Sequence, residues 1–258
     1  MELRVETLYE TKNLRIIDAD VLGDDRIVIL DENCPIVHWN ERKLRLQLHL
    51  SSPFIRLLDS KTFLVVDVTM EGTAINAWVI DERGSILHSF HAGNAIGAVA
   101  VNDTGIWIGY ADEGVFGEGI SSEALVCFSR TGEVLQRYQS DVVRPPTIVD
   151  CELLQADRTG VWLCPSIWYD LIQIDLNGRL NTFKTPKLLH DSSALTIQGQ
   201  VGYFVKDGWL YKWPFGARKR PDVVTEFLGT ARGLGEGEPF HFIQIGDYEV
   251  SGVQIVDR

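Results

Sequence analysis

Short apolar runs separated by Gly, Asn and Asp turns fill this chain, and no stretch of a dozen residues holds a 3.6-residue apolar period. Arg26–Leu30, Phe63–Val68, Ile106–Tyr110 and Val161–Cys164 are runs of the length and composition of strands buried on both faces. A turn signal precedes each one: Gly23-Asp24-Asp25, Asp59-Ser60-Lys61, Asn102-Asp103-Thr104-Gly105 and Asp157-Arg158-Thr159-Gly160. Further along each unit a second apolar strand leads through a glycine turn into an alternating strand. Those turns are Asp81-Glu82-Arg83-Gly84, Ser129-Arg130-Thr131-Gly132 and Asp175-Leu176-Asn177-Gly178, with glycines 48 and 46 residues apart. Thr104-Gly105-Ile106-Trp107 recurs as Thr159-Gly160-Val161-Trp162. A period of about 45 residues with four short strands per unit predicts an all-β fold, a β-propeller.

The units fall at 14–50, 53–91, 96–139, 147–185 and 193–228, with a sixth over 229–258. The sixth lacks an outer strand, and the alternating segment Leu3–Tyr9 is free to supply it. Six four-stranded blades closed by the N-terminal strand, all within one propeller spanning 1–258, is therefore the expected architecture. Closure of this kind removes the open edges of a flat sheet. Trp107 and Trp162, at one position in successive second strands, are expected to pack between blades, as are Trp39 and Trp78 in third strands.

A chain of 258 residues is long enough to bury a core without disulfide or metal. The net charge of −12 predicts no nucleic-acid partner and no anionic membrane surface. Arg218-Lys219-Arg220, beside Pro221, reads as a solvated hairpin tip. The first residues form no apolar leader, and no run approaches the roughly 20 apolar residues of a membrane span. A cytoplasmic location follows as the expectation, with Cys34, Cys127, Cys151 and Cys164 as buried free thiols. Cys151 and Cys164 would face each other across a hairpin and could join under oxidation.

The run Gly105-Ile106-Trp107-Ile108-Gly109-Tyr110-Ala111-Asp112-Glu113-Gly114-Val115-Phe116-Gly117, with Leu125-Val126-Cys127-Phe128 after it, resembles a group of uncharacterised bacterial propeller-like proteins. The resemblance covers one blade. It implies the fold and a bacterial cytosolic setting, and it implies no reaction. In blade count alone the chain is similar to six-bladed calcium-dependent lactonases of the gluconolactonase type. None of their metal ligands is matched here.

In a propeller the connections from one blade to the next and from second to third strands share one face, where ligands bind. Four such loops are long. Ala111–Glu123 carries Asp112, Glu113 and Glu118 among glycines, the oxygen-rich setting that calcium takes, although not at EF-hand spacing. Its Phe116 either staples the loop down or presents a contact surface. Pro165–Asp170 carries Trp168 and Tyr169, aromatic anchors for a ligand or partner, or packing against the next blade. Gln139–Thr147 carries Arg144 beside two prolines, suited to an anion or to a structural ion pair. Thr185–Ser193 carries His190 and Asp191, candidates for proton transfer, while His91 and Asn94 occupy the matching loop two blades earlier and could converge with them.

Two functions are compatible with this layout. The preferred one is a non-enzymatic binding scaffold for a small molecule or protein, since no catalytic motif is present. The alternative is a metal-dependent, calcium-type hydrolase or lyase acting on a small molecule at the axial mouth.

Overall fold

The computed structural model describes residues 1–30, 35–69, 72–167, 169–216 and 219–256. Its strands form six four-stranded antiparallel sheets arranged as the blades of a propeller. β1 (Glu2–Glu10) stands apart from its neighbours in sequence. Blade one is β2 (Ile16–Leu22), β3 (Asp25–Leu30), β4 (Ile36–Trp39) and β5 (Arg42–Arg45); blade two is β6 (Pro53–Leu57), β7 (Thr62–Asp67), β8 (Ala77–Asp81) and β9 (Ile86–Phe90). Blade three is β10 (Ile96–Asn102), β11 (Gly105–Tyr110), β12 (Leu125–Phe128) and β13 (Val134–Arg137). Blade four is β14 (Leu153–Asp157), β15 (Gly160–Cys164), β16 (Leu171–Asp175) and β17 (Leu180–Phe183). Blade five is β18 (Ala194–Gln198), β19 (Val201–Lys206), β20 (Trp209–Pro214) and β21 (Asp222–Glu226). Blade six is β22 (Ala231–Gly233), β23 (Phe242–Ile245) and β24 (Glu249–Val256), completed by β1 as its outermost strand, from Glu2 opposite Val256 to Glu10 opposite Glu249.

Burial follows position in the blade. The second strands lie between neighbouring blades and are the most deeply buried: every residue of β11 and of β15 is buried. The outer strands face water, and β9 buries only Phe90. The core is a set of inter-blade layers, one of which packs Leu64, Val66 and Val79 of blade two against Ile106, Ile108 and Val126 of blade three.

The recurring Thr-Gly-x-Trp segment has a local cause. The Asn102 side chain accepts from the backbone N–H of Thr104 (3.0 Å) and from its hydroxyl (2.5 Å), and Asp157 does the same for Thr159 (2.7 and 2.5 Å). Each threonine oxygen then accepts the indole N–H three residues on, Trp107 at 3.1 Å and Trp162 at 3.2 Å. Gly160 sits at φ +136°, and a Cβ there would fall 2.1 Å from the carbonyl oxygen of Ile174.

Among the described residues, helix is limited to α1 (Asp112–Val115), α2 (Tyr138–Asp141) and the 3-10 turns Gly119–Glu123 and Lys187–Leu189, all in connections. Cys127, Cys151 and Cys164 are buried and free; Cys34 lies outside the described residues. The hairpin register sets Cys164 opposite Leu153 rather than Cys151. Burial pushes the thiols of Cys127 and Cys164 up to about 12, which keeps them protonated and unreactive. No helix among the described residues is long and apolar enough to cross a membrane.

Candidate functional site

Strand order assigns the long connections to one face, here the upper face. The turns between first and second and between third and fourth strands form the lower face.

Tyr169, in the connection between β15 and β16, and Asp191, in the connection from blade four to blade five, meet on the upper face. The Tyr169 hydroxyl donates to Asp191 Oδ1 at 2.6 Å, and this bond raises the phenol above its ordinary range. The imidazole of His190 stacks on the Tyr169 ring at 4.2 Å between centroids. Tyr169 (φ +51°) and Asp191 (φ +59°) both hold left-handed backbone, which a tyrosine adopts only at a cost of order 1–3 kcal/mol. The loop that carries them is fixed from behind. Lys206 Nζ donates to the His190 carbonyl, Ser193 Oγ to the Val205 carbonyl (3.3 Å), and Ser192 Oγ to the Leu189 carbonyl (2.7 Å). Tyr169 and Asp191 line a cavity of about 320 Å³ with Glu152, Ser166 and the Cys164 thiol.

Two acids beside this cavity escaped the sequence reading. Asp150 and Glu152 flank the buried Cys151 in the crossing into blade four. Burial, then the neighbouring charge of Glu152, raises the Asp150 carboxyl, against the lowering effect of a hydrogen bond with Ser166; Asp112 adds a smaller push upward. Asp150 Oδ1 is buried without a partner. The one signal available beforehand was an acid pair bracketing a cysteine within a crossing that is otherwise apolar at Ile148 and Val149.

The remaining candidates lie elsewhere on the upper face. Asn94 lines a separate cavity with Glu113 and Glu118, and its amide is engaged in holding the loop: Nδ2 donates to the Gly72 carbonyl (3.0 Å) and Oδ1 accepts from Thr69 (3.1 Å). His91 Nδ1 pairs with the Ala74 carbonyl (2.9 Å). The structure therefore does not bring His91 and Asn94 into the cavity of Tyr169 and Asp191. Arg144 is exposed at φ +52°, and Phe116 is 74% exposed rather than stapled down. Trp168 lies outside the described residues. Asp112, Glu113 and Glu118 are exposed. Among the described residues no three His, Cys, Asp or Glu side chains are gathered as a metal site.

No protein-family model and no curated protein matches this chain. Solved structures do match its fold. A catalytically inactive virginiamycin B lyase from Staphylococcus aureus, solved with quinupristin, is 10% identical, with 99% of this chain and 100% of that one covered at a TM-score of 0.62. A streptogramin B lyase is 8% identical, with 98% of each chain covered and a TM-score of 0.59. A protein of unknown function from Bacteroides thetaiotaomicron is 10% identical, covering 98% of this chain and 76% of that one, also at 0.59. The likeness to bacterial six-bladed propellers is thus one of architecture. It corrects the preference for a non-enzymatic binding scaffold, because propellers matched over their full length are lyases. The lack of a linear motif weighs little in a fold whose site side chains come from separate blades.

Proposed function

We propose that this chain is an enzyme of the lyase kind, acting on a small molecule at the upper-face cavity of Tyr169 and Asp191. Full-length likeness to two lyases supports the class. The observation that carries the site is the phenol–carboxylate pair at 2.6 Å, presented by two residues in strained backbone.

An elimination needs a base to take a proton from carbon and an acid to protonate the departing heteroatom. The C–H electron pair becomes the new double bond, and the leaving group departs with its own bonding pair. In this reading Asp191 takes the carbon-bound proton and Tyr169 delivers its hydroxyl proton to the leaving oxygen or nitrogen. His190, stacked on the ring, positions the phenol. Asp150, held towards its protonated form by burial, favours an anionic substrate group over a second local carboxylate charge.

Quinupristin and small lactones bearing a heteroatom β to an acidified C–H are the substrates to assay. Tyr169→Phe and Asp191→Asn are each expected to lower kcat by about 10²–10⁴-fold with little change in KM. Wild-type protein that converts no member of the panel, or variants that match it, would overturn the proposal.

A further inference from the structure

A second cavity, of about 240 Å³, occupies the lower mouth of the propeller axis. The inner strands of blades one to four and six line it, with charged side chains among them. Arg56 is buried, with Nη1 donating to Asp18 at 2.6 Å and Nε to the Val99 carbonyl at 2.7 Å. Arg232 donates through Nη2 to Asp20 and to the Ala19 carbonyl, both at 2.7 Å, while its Nε is buried without an acceptor. Asp18 and Asp20 thus balance the two arginines but leave the Arg232 Nε–H without an acceptor. Glu238 lines the same well; its Oε2 accepts the Gly23 N–H at 2.7 Å, and no hydrogen bond to its other oxygen is found among the described residues. Arg232 and Glu238, of opposite charge, both line this one small space.

Asp157 and Glu236 line both this well and a larger cleft, about 610 Å³, between blades four and five. Trp162, Phe183 and Phe215 line the cleft, with Phe215 4.8 Å from Phe183 and 5.4 Å from Trp162 between ring centroids. The cleft is not a generic product of the repeat. At the equivalent seam between blades three and four, Trp107 is closed in by Leu176 and Gly178, and only about 100 Å³ remains.

We propose that the lower mouth binds a small zwitterion with an aromatic side group, an aromatic α-amino acid in the simplest case. The carboxylate meets Arg232, the ammonium meets Glu238, and the ring enters the cleft beside Trp162 and Phe215. An anion alone would be opposed by Asp157, Glu236 and Glu238, and a cation alone would leave the guanidinium of Arg232 without a carboxylate ligand. A ligand carrying both charges satisfies each side. Burial raises the Glu238 carboxyl, the Gly23 N–H lowers it and the charge of Asp20 raises it again, and an arriving ammonium favours its charged form.

The test is titration calorimetry of the whole protein with three probes: L-phenylalanine, L-phenylalaninamide (no carboxylate) and 3-phenylpropanoate (no amine). Saturable binding of L-phenylalanine is expected, with each of the other two at least about tenfold weaker, the scale of one charge-assisted hydrogen bond. Glu238→Gln keeps an acceptor for Gly23 and should weaken L-phenylalanine about tenfold while leaving 3-phenylpropanoate as tight or tighter. Arg232→Gln should weaken both carboxylates, and should it unfold the protein the Glu238→Gln comparison still decides. Tyr169→Phe, on the opposite face, should alter none of these affinities. No saturable binding up to about 10 mM, equal affinity for the three probes, or an indifferent Glu238→Gln would each overturn the inference.

Discussion

Trp162 hangs on one hydroxyl. Thr159 Oγ1 is the acceptor for a largely buried indole N–H, and Asp157 orients that oxygen. Replacing Thr159 by Val keeps the shape and removes the acceptor, which leaves a desolvated donor at a cost of about 1–3 kcal/mol. Urea denaturation followed by tryptophan fluorescence should show that loss; a change under about 0.5 kcal/mol would mean that water replaces the hydroxyl. Asp150 makes the opposite case. Burial raises its carboxyl above the unfolded value, so its contribution to stability is full below the ordinary carboxylate range and is lost as pH rises through the raised value. Asp150→Asn should therefore melt higher than wild type at neutral pH and no higher near pH ~3, where Asp150 is protonated in both states; an equal gain at both pH values would contradict this. The threonine-tryptophan repeat was legible because its cause is local, within a single turn. Asp150 was not, because its peculiarity arises from neighbours in another connection and from burial that only the assembled blades create.

At the scale of the element, β1 closes the ring. It is mostly exposed and adds little core, yet it covers the outer edge of β24 through eight paired positions. A chain starting at Thr11 leaves that edge open, and an open strand edge recruits another chain. Concentration-dependent self-association on size-exclusion chromatography is expected, reversed by a peptide spanning residues 1–10; a monomer melting like wild type would contradict it. The pairing was readable from the alternation of Leu3–Tyr9 and the shortfall in the sixth unit. The hairpins were readable as well, since their Asp-x-x-Gly turns carry the geometry in sequence. β22 was not: it is three residues long with Arg232 at its centre, and it runs so close to blade five that a Cβ on Gly233 would lie 1.7 Å from the Leu195 carbonyl oxygen. The helical turns α1 and α2 are four residues each, too short to show a period.

Across the whole molecule, a ring of polar contacts crosses every seam near the axis. Arg56 ties blade two to Asp18 of blade one and to Val99 of blade three. Asn102 Nδ2 donates to the Asp157 carbonyl of blade four (3.0 Å), and Gln155 Oε1 accepts from Ile197 N of blade five (2.7 Å). Thr196 Oγ1 donates to Leu234 of blade six (2.8 Å), and Arg232 returns to Asp20 of blade one. These residues sit inside strands, where polarity in sequence reads as an outward face, so neither the ring nor the lower well was visible before the fold was known. The upper-face candidates were visible because loop length and aromatic or acidic content survive in sequence; which of them share a cavity depends on three dimensions. Elimination at Tyr169 and Asp191 is decided by running the reaction on the lactone panel in oxygen-labelled water and weighing the product. Elimination opens the ring to an unsaturated acid of unchanged mass with no label, at a rate that falls about 100-fold or more in Tyr169→Phe. A labelled product heavier by one water, or no product at all, would contradict it.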